Sequence, residues 1–491
     1  MTNSLGQTGR YFRADDPEYT PHMSLHAAIK AAPGAPQVDS AAVIEIVNRG
    51  YCFGERTPVA GVGWSTASPD EQPSGKEWAY GQMPEHGDAF AASDTIAEGV
   101  FHRLCEELRA VCEGRKKIGL LLSGGMDSRV VACVLHALQN SGELSASVVA
   151  LNWGMESSRD VVYAARVCDL FGWEFRTFPL APGTLETNIT VAAQYGCEFS
   201  PVHLHAMADI ATQKDIDLIV AASFGDSVGR AEFSGDHVTA LKPISRHIYN
   251  RFKLIRDDVF RSFVARVHTD AGLYHDIFPR HHTYQSRELD YQLHYMQRML
   301  VPCFRVIADS IPVHQAFTDP GVYGYMWSFS PACRTDRIYR DLLAAYGPGL
   351  LEIPWARTGR SYSDSSGPPD GYSRNNNKYG LWMRTELLEG LRSRVLSDTV
   401  ARLDIFNMYA LDAMLRYTSR QANEKATVLQ ETLAWIASLH EFAEAVNLEG
   451  PGLRSEKERT EMIKGRFFSV AHAAAFDGKL RLQELVRRLA K

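Results

Sequence analysis

The chain has 491 residues, 45% hydrophobic, 22% charged and 10% aromatic, which excludes disordered and fibrous classes and allows a main domain with one or two smaller layers. A formal charge of −6 gives no general attraction to nucleic acid or an anionic membrane, so a small-molecule partner is expected. The eight cysteines (Cys52, Cys105, Cys112, Cys133, Cys168, Cys197, Cys303, Cys333) form no C-x-x-C pair, which suits reduced thiols in a cytosol.

Met1 to Pro21 is polar and lacks the basic-then-apolar pattern of a secretory signal. No run of about 18 apolar residues occurs, so a cytoplasmic protein with no membrane span is expected. Residues 1–37, with Ala-Ala-Pro-Gly-Ala-Pro at 31–36, read as a loosely held arm. Ala41 to Val47 suits either a short helix or a strand, ended by Gly50 and Gly54. Ser93-Asp94 then caps a helix carrying Ile96, Val100, Phe101, Leu104 and Leu108 at helical spacing.

Ile118 to Leu122 is a short apolar run of the kind buried in a parallel sheet; it stops at Ser123-Gly124-Gly125, and a helix resumes by Val130. Ala146 to Leu151 and Leu218 to Ala222 are further strands, the second ending in Ser223-Phe224-Gly225-Asp226-Ser227, with a helix over Asp160 to Phe171. Alternating strands and helices predict an α/β fold, a doubly wound parallel sheet binding its ligand beyond the carboxyl ends of the strands. After Leu241 the chain reads as helical, broken by a Gly/Pro-rich loop at 359–377 that suits a lid, a binding loop or disorder.

A strand that breaks at Ser123-Gly124-Gly125 and restarts as a helix at Ser128 aims several backbone N–H groups at one point, an anion site. Asp127 beside it suits a bound Mg²⁺, and Ser123 and Ser128 can donate hydroxyl hydrogen bonds. Ser-Gly-Gly alone reads equally as an ordinary turn with Asp127 as a helix cap. Neither G-x-x-x-x-G-K-[ST] nor G-x-G-x-x-G is present.

Leu121-Leu122-Ser123-Gly124-Gly125-Met126-Asp127-Ser128 resembles the PP-loop of the ATP pyrophosphatases, in the L-L-S-G-G-L-D-S form of the asparagine synthetase and β-lactam synthetase branch. Ser223 to Ser227 resembles that branch's later G-x-G-x-D-E, with Ser227 in place of the second acidic residue. Asn48 to Tyr51 and Arg56 to Val62 are similar to the stretch closing the family's glutaminase domain, and Phe317-Thr318-Asp319 sits where the family has P-F-L-D. The resemblance spans about residues 40 to 440. It implies an adenine nucleotide α-hydrolase-like PP-loop domain over 93–400, a glutaminase remnant over 38–92 and a helical C-terminal region over 401–491.

By the same resemblance, ATP would be held by Leu122, Ser123, Gly124, Gly125, Asp127, Ser128 and Gly225, with Asp127 and Asp226 carrying Mg²⁺. Adenine would lie at Leu151 and Asn152; Asn152 reads equally as a turn former, and Asp160 as a helix cap. Arg357, Arg360 and Lys378 are candidate phosphate clamps, each also readable as a solvated surface charge. The implied reaction adenylates a substrate carboxylate, releases pyrophosphate, and transfers the acyl group to ammonia or an amine with loss of AMP.

Two departures bear on this. Thr2 stands where a glutaminase needs its Cys nucleophile and only 122 residues precede Ser123, so no glutaminase activity is expected; nitrogen would come free, as an amine, or from a separate glutaminase. Pro312 and His314 stand where the family has its Glu and Arg, which leaves Glu288 and Asp290 as alternative bases. His203-Leu204-His205 and His281-His282 lack partners at metal-ligand spacing. The competing readings are a PP-loop enzyme adenylating a nucleobase or tRNA carbonyl, and a nucleotide-binding scaffold without turnover; a homo-oligomer is compatible with all three.

Overall fold

The computed structural model describes residues 9–65 apart from 17 and 19, then 83–229, 236–361, 369–452 and 458–489. Arg10–Arg13 (β1) pairs antiparallel with Val62–Ser65 (β2). Lys117–Leu121 (β3), Ser147–Gly154 (β4), Glu174–Pro179 (β5), Leu218–Ala221 (β6) and Val313–Gln315 (β7) form an all-parallel sheet in the order β5-β4-β3-β6-β7. The order reverses direction at β3, so β3 and β6 flank a switch point where their carboxyl ends open a crevice.

Side chains alternate across the sheet, and both faces are buried. Ile118, Leu120, Val148, Ala150 and Val220 pack on one side with the helices Ser93–Cys112 (α1) and Met126–Asn140 (α2). Leu121, Val149, Leu151 and Ile219 pack on the other with Met207, Ile210, Phe304 and Ile307. The expected doubly wound sheet is thus present. The strand Glu174–Pro179 escapes sequence reading because it is an edge strand, only half-buried and polar at alternate positions, and Val313–Gln315 because it has three residues. Ala41 to Val47 is helical: Asp39 accepts from the Ala41 and Ala42 amides at 2.9 and 3.2 Å, and Gly50 closes the helix at φ 86°.

The described part of residues 9–37 is not a loose arm. Tyr11, Leu25 and Ala28 are buried in an apolar cluster that also takes Val400, Leu411, Leu433 and Leu439 from the C-terminal helices. Main-chain bonds seal the two ends together, Val38 N–H to the Glu449 carbonyl at 2.9 Å and Glu449 N–H to the Pro36 carbonyl at 2.9 Å. Composition signalled a linker because the residues that cover this segment lie hundreds of positions away. All eight cysteines are free. Among the described residues no helix is long and apolar enough to cross a membrane.

Asp39 also pairs with Arg56 at 2.5 Å, in a buried group with Glu45 and Asp270. Asp39→Ala removes a helix cap and leaves a buried guanidinium short of a partner. It should lower stability by about 2–4 kcal/mol in urea unfolding, and Asp39→Asn, which keeps a capping oxygen, should cost less.

Candidate active site

The strand β3 is locked to β4 where the loop begins. Leu122 N–H donates to the Leu151 carbonyl at 3.0 Å, and the buried Asn152 amide donates to the Leu122 carbonyl at 2.6 Å. Asn152 is therefore a strand residue that fixes the loop's origin, not a turn former. The chain then turns through Ser123-Gly124-Gly125 into α2, which begins at Met126 with Gly125 as N-cap and no side-chain cap. That start places the positive end of the helix against the crevice.

The three loop amides expected to grip phosphate are already engaged. Ser123 N–H donates to Ser128 Oγ at 3.1 Å, Gly124 N–H to Asp160 Oδ1 at 3.3 Å, and Gly125 N–H to Ser123 Oγ at 3.1 Å. Asp160 does not cap its own helix, Arg159–Phe171; Ser158 does, and Asp160 reaches back to the loop instead. Burial pushes the Asp160 carboxyl up, opposed by the Gly124 N–H and by Lys425. From behind, the fully buried Arg129 donates to the Leu350, Ile353 and Pro354 carbonyls at 3.0, 2.7 and 2.9 Å, and to the Gly124 carbonyl at 3.4 Å. Gly124 is pressed so closely that a Cβ there would lie 2.9 Å from Ala356 Cβ.

A cavity of about 300 Å³ opens at the strand ends. Its polar lining includes Ser123, Asp127, Ser128, Ser223 and Asp226, and its apolar lining includes Trp153, Met207, Leu300 and Phe304. Asp127 comes from the first turn of α2, and Asp226 from the turn Gly225–Gly229 after β6. The two turns touch at Gly225, where a Cβ would fall 2.6 Å from Asp127 Cβ, so glycine is what allows both carboxylates onto one cavity. Among the described residues no cluster of three or more His, Cys, Asp or Glu suits a metal ion. Two carboxylates with neighbouring hydroxyls are hard oxygen donors of the kind that would hold Mg²⁺.

The remaining expected residues fall elsewhere. Leu122 and Leu151 are buried in the packing on opposite faces of the sheet and, like Asn152, do not line this cavity. Arg357 and Arg360 are exposed, Arg357 over the Trp355 ring at 5.4 Å, and Lys378 pairs with Glu424 at 3.4 Å; none of the three lines the cavity. These cations flank the loop in sequence but are not brought to the cavity lining. Residues 362–368 of the Gly/Pro-rich loop lie outside the described residues, while the Arg159 and Met155 amides donate to the Ser373 and Asn376 carbonyls. Neither alternative base is available. Buried Glu288 is clamped by Arg334 at 2.7 Å and His86 at 3.1 Å; burial raises its pKa, but those two outweigh it and leave it lowered. Asp290 is paired with His275 at 2.9 Å.

Sequence reasoning passed over His203 and His205 as cavity residues. His205 stacks between Trp153 and Tyr379 at ring separations of 5.8 and 6.0 Å. Burial lowers the His203 pKa to about 4 and that of His205 to about 3, so both rings are neutral near pH 7. Of the missed residues only Ser223 carried a signal, through its place beside Gly225-Asp226; the others meet here by folding alone.

Residues 102–226 match the family model of asparagine synthase. No curated protein sequence matches significantly. Among solved structures, the chain is similar to NMN synthetase from Francisella tularensis (13% identity, 45% of this chain and 93% of that one, TM-score 0.21). It is also similar to NAD+ synthetase from Burkholderia pseudomallei (15%, 53% and 90%, 0.21) and to the U34-tRNA thiolase NcsA from Methanococcus maripaludis (13%, 44% and 79%, 0.19).

The Gly225 contact provides a check on the geometry. Gly225→Ala should push Asp226 away from Asp127 and lower the melting temperature at unchanged circular dichroism. The matched segment starts in the helix before β3, holds the Ser-Gly-Gly-Met-Asp-Ser loop and ends on Asp226, so the likeness to asparagine synthase lies on the residues that build this cavity's strand-end turns.

Proposed function

We propose that the protein is an ATP-dependent, AMP-forming ligase that adenylates a small-molecule carboxylate and passes the acyl group to ammonia or an amine. The observation that carries this reading is the pair Asp127 and Asp226, brought by two separate turns onto one cavity that also receives Ser123 and Ser128.

Splitting ATP between its α- and β-phosphates gathers negative charge on the departing pyrophosphate, so the site must supply positive potential there. Mg²⁺ held by Asp127 and Asp226 would neutralise that charge. The uncapped start of α2 adds its partial positive charge, and the Ser123 and Ser128 hydroxyls, 3.1 Å apart, can turn their hydrogens to phosphate oxygens. Because the Ser123–Gly125 amides are engaged internally, they act by holding the loop's shape, which spares reorganisation when substrate arrives.

An acyl-adenylate is prone to hydrolysis. The apolar side formed by Trp153, Met207, Leu300 and Phe304 would keep water from it until the nitrogen nucleophile arrives. The nitrogen is taken as ammonia or an amine from solution, or from a separate glutaminase.

Acid-dependent exchange of labelled pyrophosphate into ATP, run with Mg²⁺ across a set of carboxylic acids, tests this directly. At least one acid should support exchange, and Asp127→Asn and Asp226→Asn should each lower it by about 10²-fold or more at unchanged melting temperature. Exchange that persists in both variants would refute the reading.

A further inference from the structure

A second cavity, of about 120 Å³, shares His203 with the cavity that receives Asp127 and Asp226. Separate parts of the chain meet around it: Arg49 at the end of the helix Ser40–Arg49, Ser200 just ahead of His203, Arg251, and Glu431 and Thr432 from the helix Val428–Val446. Val47, Val428 and Trp435 add apolar surface. Such a space holds several water molecules or one small organic ion.

Its polar groups are unequally satisfied. Asn48 donates to the Ile44 carbonyl at 2.8 Å and accepts from the Tyr249 N–H at 3.2 Å, and Thr432 donates to the Val428 carbonyl at 2.9 Å. Two donors are left open among the described residues: the buried Nε of Arg49, and the Oγ of Ser200, a residue 4% exposed that precedes the turn Pro201–His203 without capping it. Another N–H of Arg49 donates to the Arg246 carbonyl, which anchors the guanidinium. Arg251, over the Tyr249 ring at 5.4 Å, brings a second guanidinium to the wall. Glu431 is the one carboxylate of this lining, and ionised it offsets only one of these two positive charges. A buried N–H without an acceptor is costly, and a carboxylate oxygen supplies both the lone pair and the opposite charge.

We propose that this cavity binds a small organic carboxylate, whose oxygens accept from Arg49 Nε–H and Ser200 Oγ–H. The two guanidiniums make an anion preferable to a neutral carbonyl compound. Val47, Val428 and Trp435 favour a carboxylate with a short hydrocarbon body over inorganic phosphate, which has no apolar surface to bury. The bound acid would bridge the helix Ser40–Arg49 and the segment at Ser200, within a wall completed by the helix Val428–Val446. Binding here needs no turnover at Asp127 and Asp226, so its loss and a loss of pyrophosphate exchange are read separately.

Butyrate is the probe, measured on the full chain by titration calorimetry without nucleotide, against sodium chloride at equal ionic strength, with acetate and inorganic phosphate alongside. It should bind the unmodified protein saturably, and several-fold more tightly than acetate because of its two further methylenes. Arg49→Gln should weaken binding about tenfold or more. Ser200→Ala, a smaller perturbation in the same wall, should weaken it several-fold and serves if Arg49→Gln does not fold. Asp127→Asn should leave it unchanged, since a carboxylate held in the other cavity would respond to that substitution. No saturable binding, binding equal in the Arg49 and Ser200 variants, or binding that shifts with Asp127→Asn overturns the proposal. Phosphate bound as tightly as butyrate, and with the same dependence on Arg49, overturns the carboxylate assignment.

Discussion

The loop after β3 keeps its shape because Arg129 lies beneath it. This side chain, wholly out of water, distributes its charge over the carbonyls of Gly124, Leu350, Ile353 and Pro354, and Ala356 N–H adds a bond to the Gly124 carbonyl at 3.0 Å. A guanidinium is suited to this, since its planar fork presents several donors at once and it stays charged. Two segments more than two hundred residues apart in sequence thereby share one position. Asp160 closes the arrangement from the opposite side, so neither the turn nor the start of α2 can shift independently.

From that fixed loop, the cavity combines two kinds of lining. Oxygen-bearing side chains come from Ser123, Asp127, Ser128, Ser223 and Asp226, and rings and aliphatic groups from Trp153, Met207, Leu300 and Phe304. The switch point of the sheet explains its location, because β3 and β6 diverge there and leave space between their following turns.

The loop was legible in the sequence because everything that defines it is local: an apolar run, two glycines, an acidic residue and a helix start within about ten positions. The strands β3, β4 and β6 were legible for a related reason, since burial on both faces makes them continuous apolar runs. Arg129, by contrast, reads as an ordinary helix residue, and only the fold reveals that it reaches the 350–354 segment. The cations at 357, 360 and 378 are near the loop in sequence, yet they do not line the cavity, because nearness along the chain does not fix where a side chain ends up. His203, Trp153 and Phe304 come from three separate segments, so no periodicity could have grouped them.

The sealing of Pro36 and Val38 against Glu449 bears on how the molecule is made. The apolar face of the helix at 40–49 leaves the ribosome early, while the helix Asp257–Asp270 that packs on it is made about two hundred residues later. At typical rates of elongation the nascent chain carries that face uncovered for on the order of tens of seconds. A segment sealed in this way completes its hydrogen bonding only once the far end of the chain has been made.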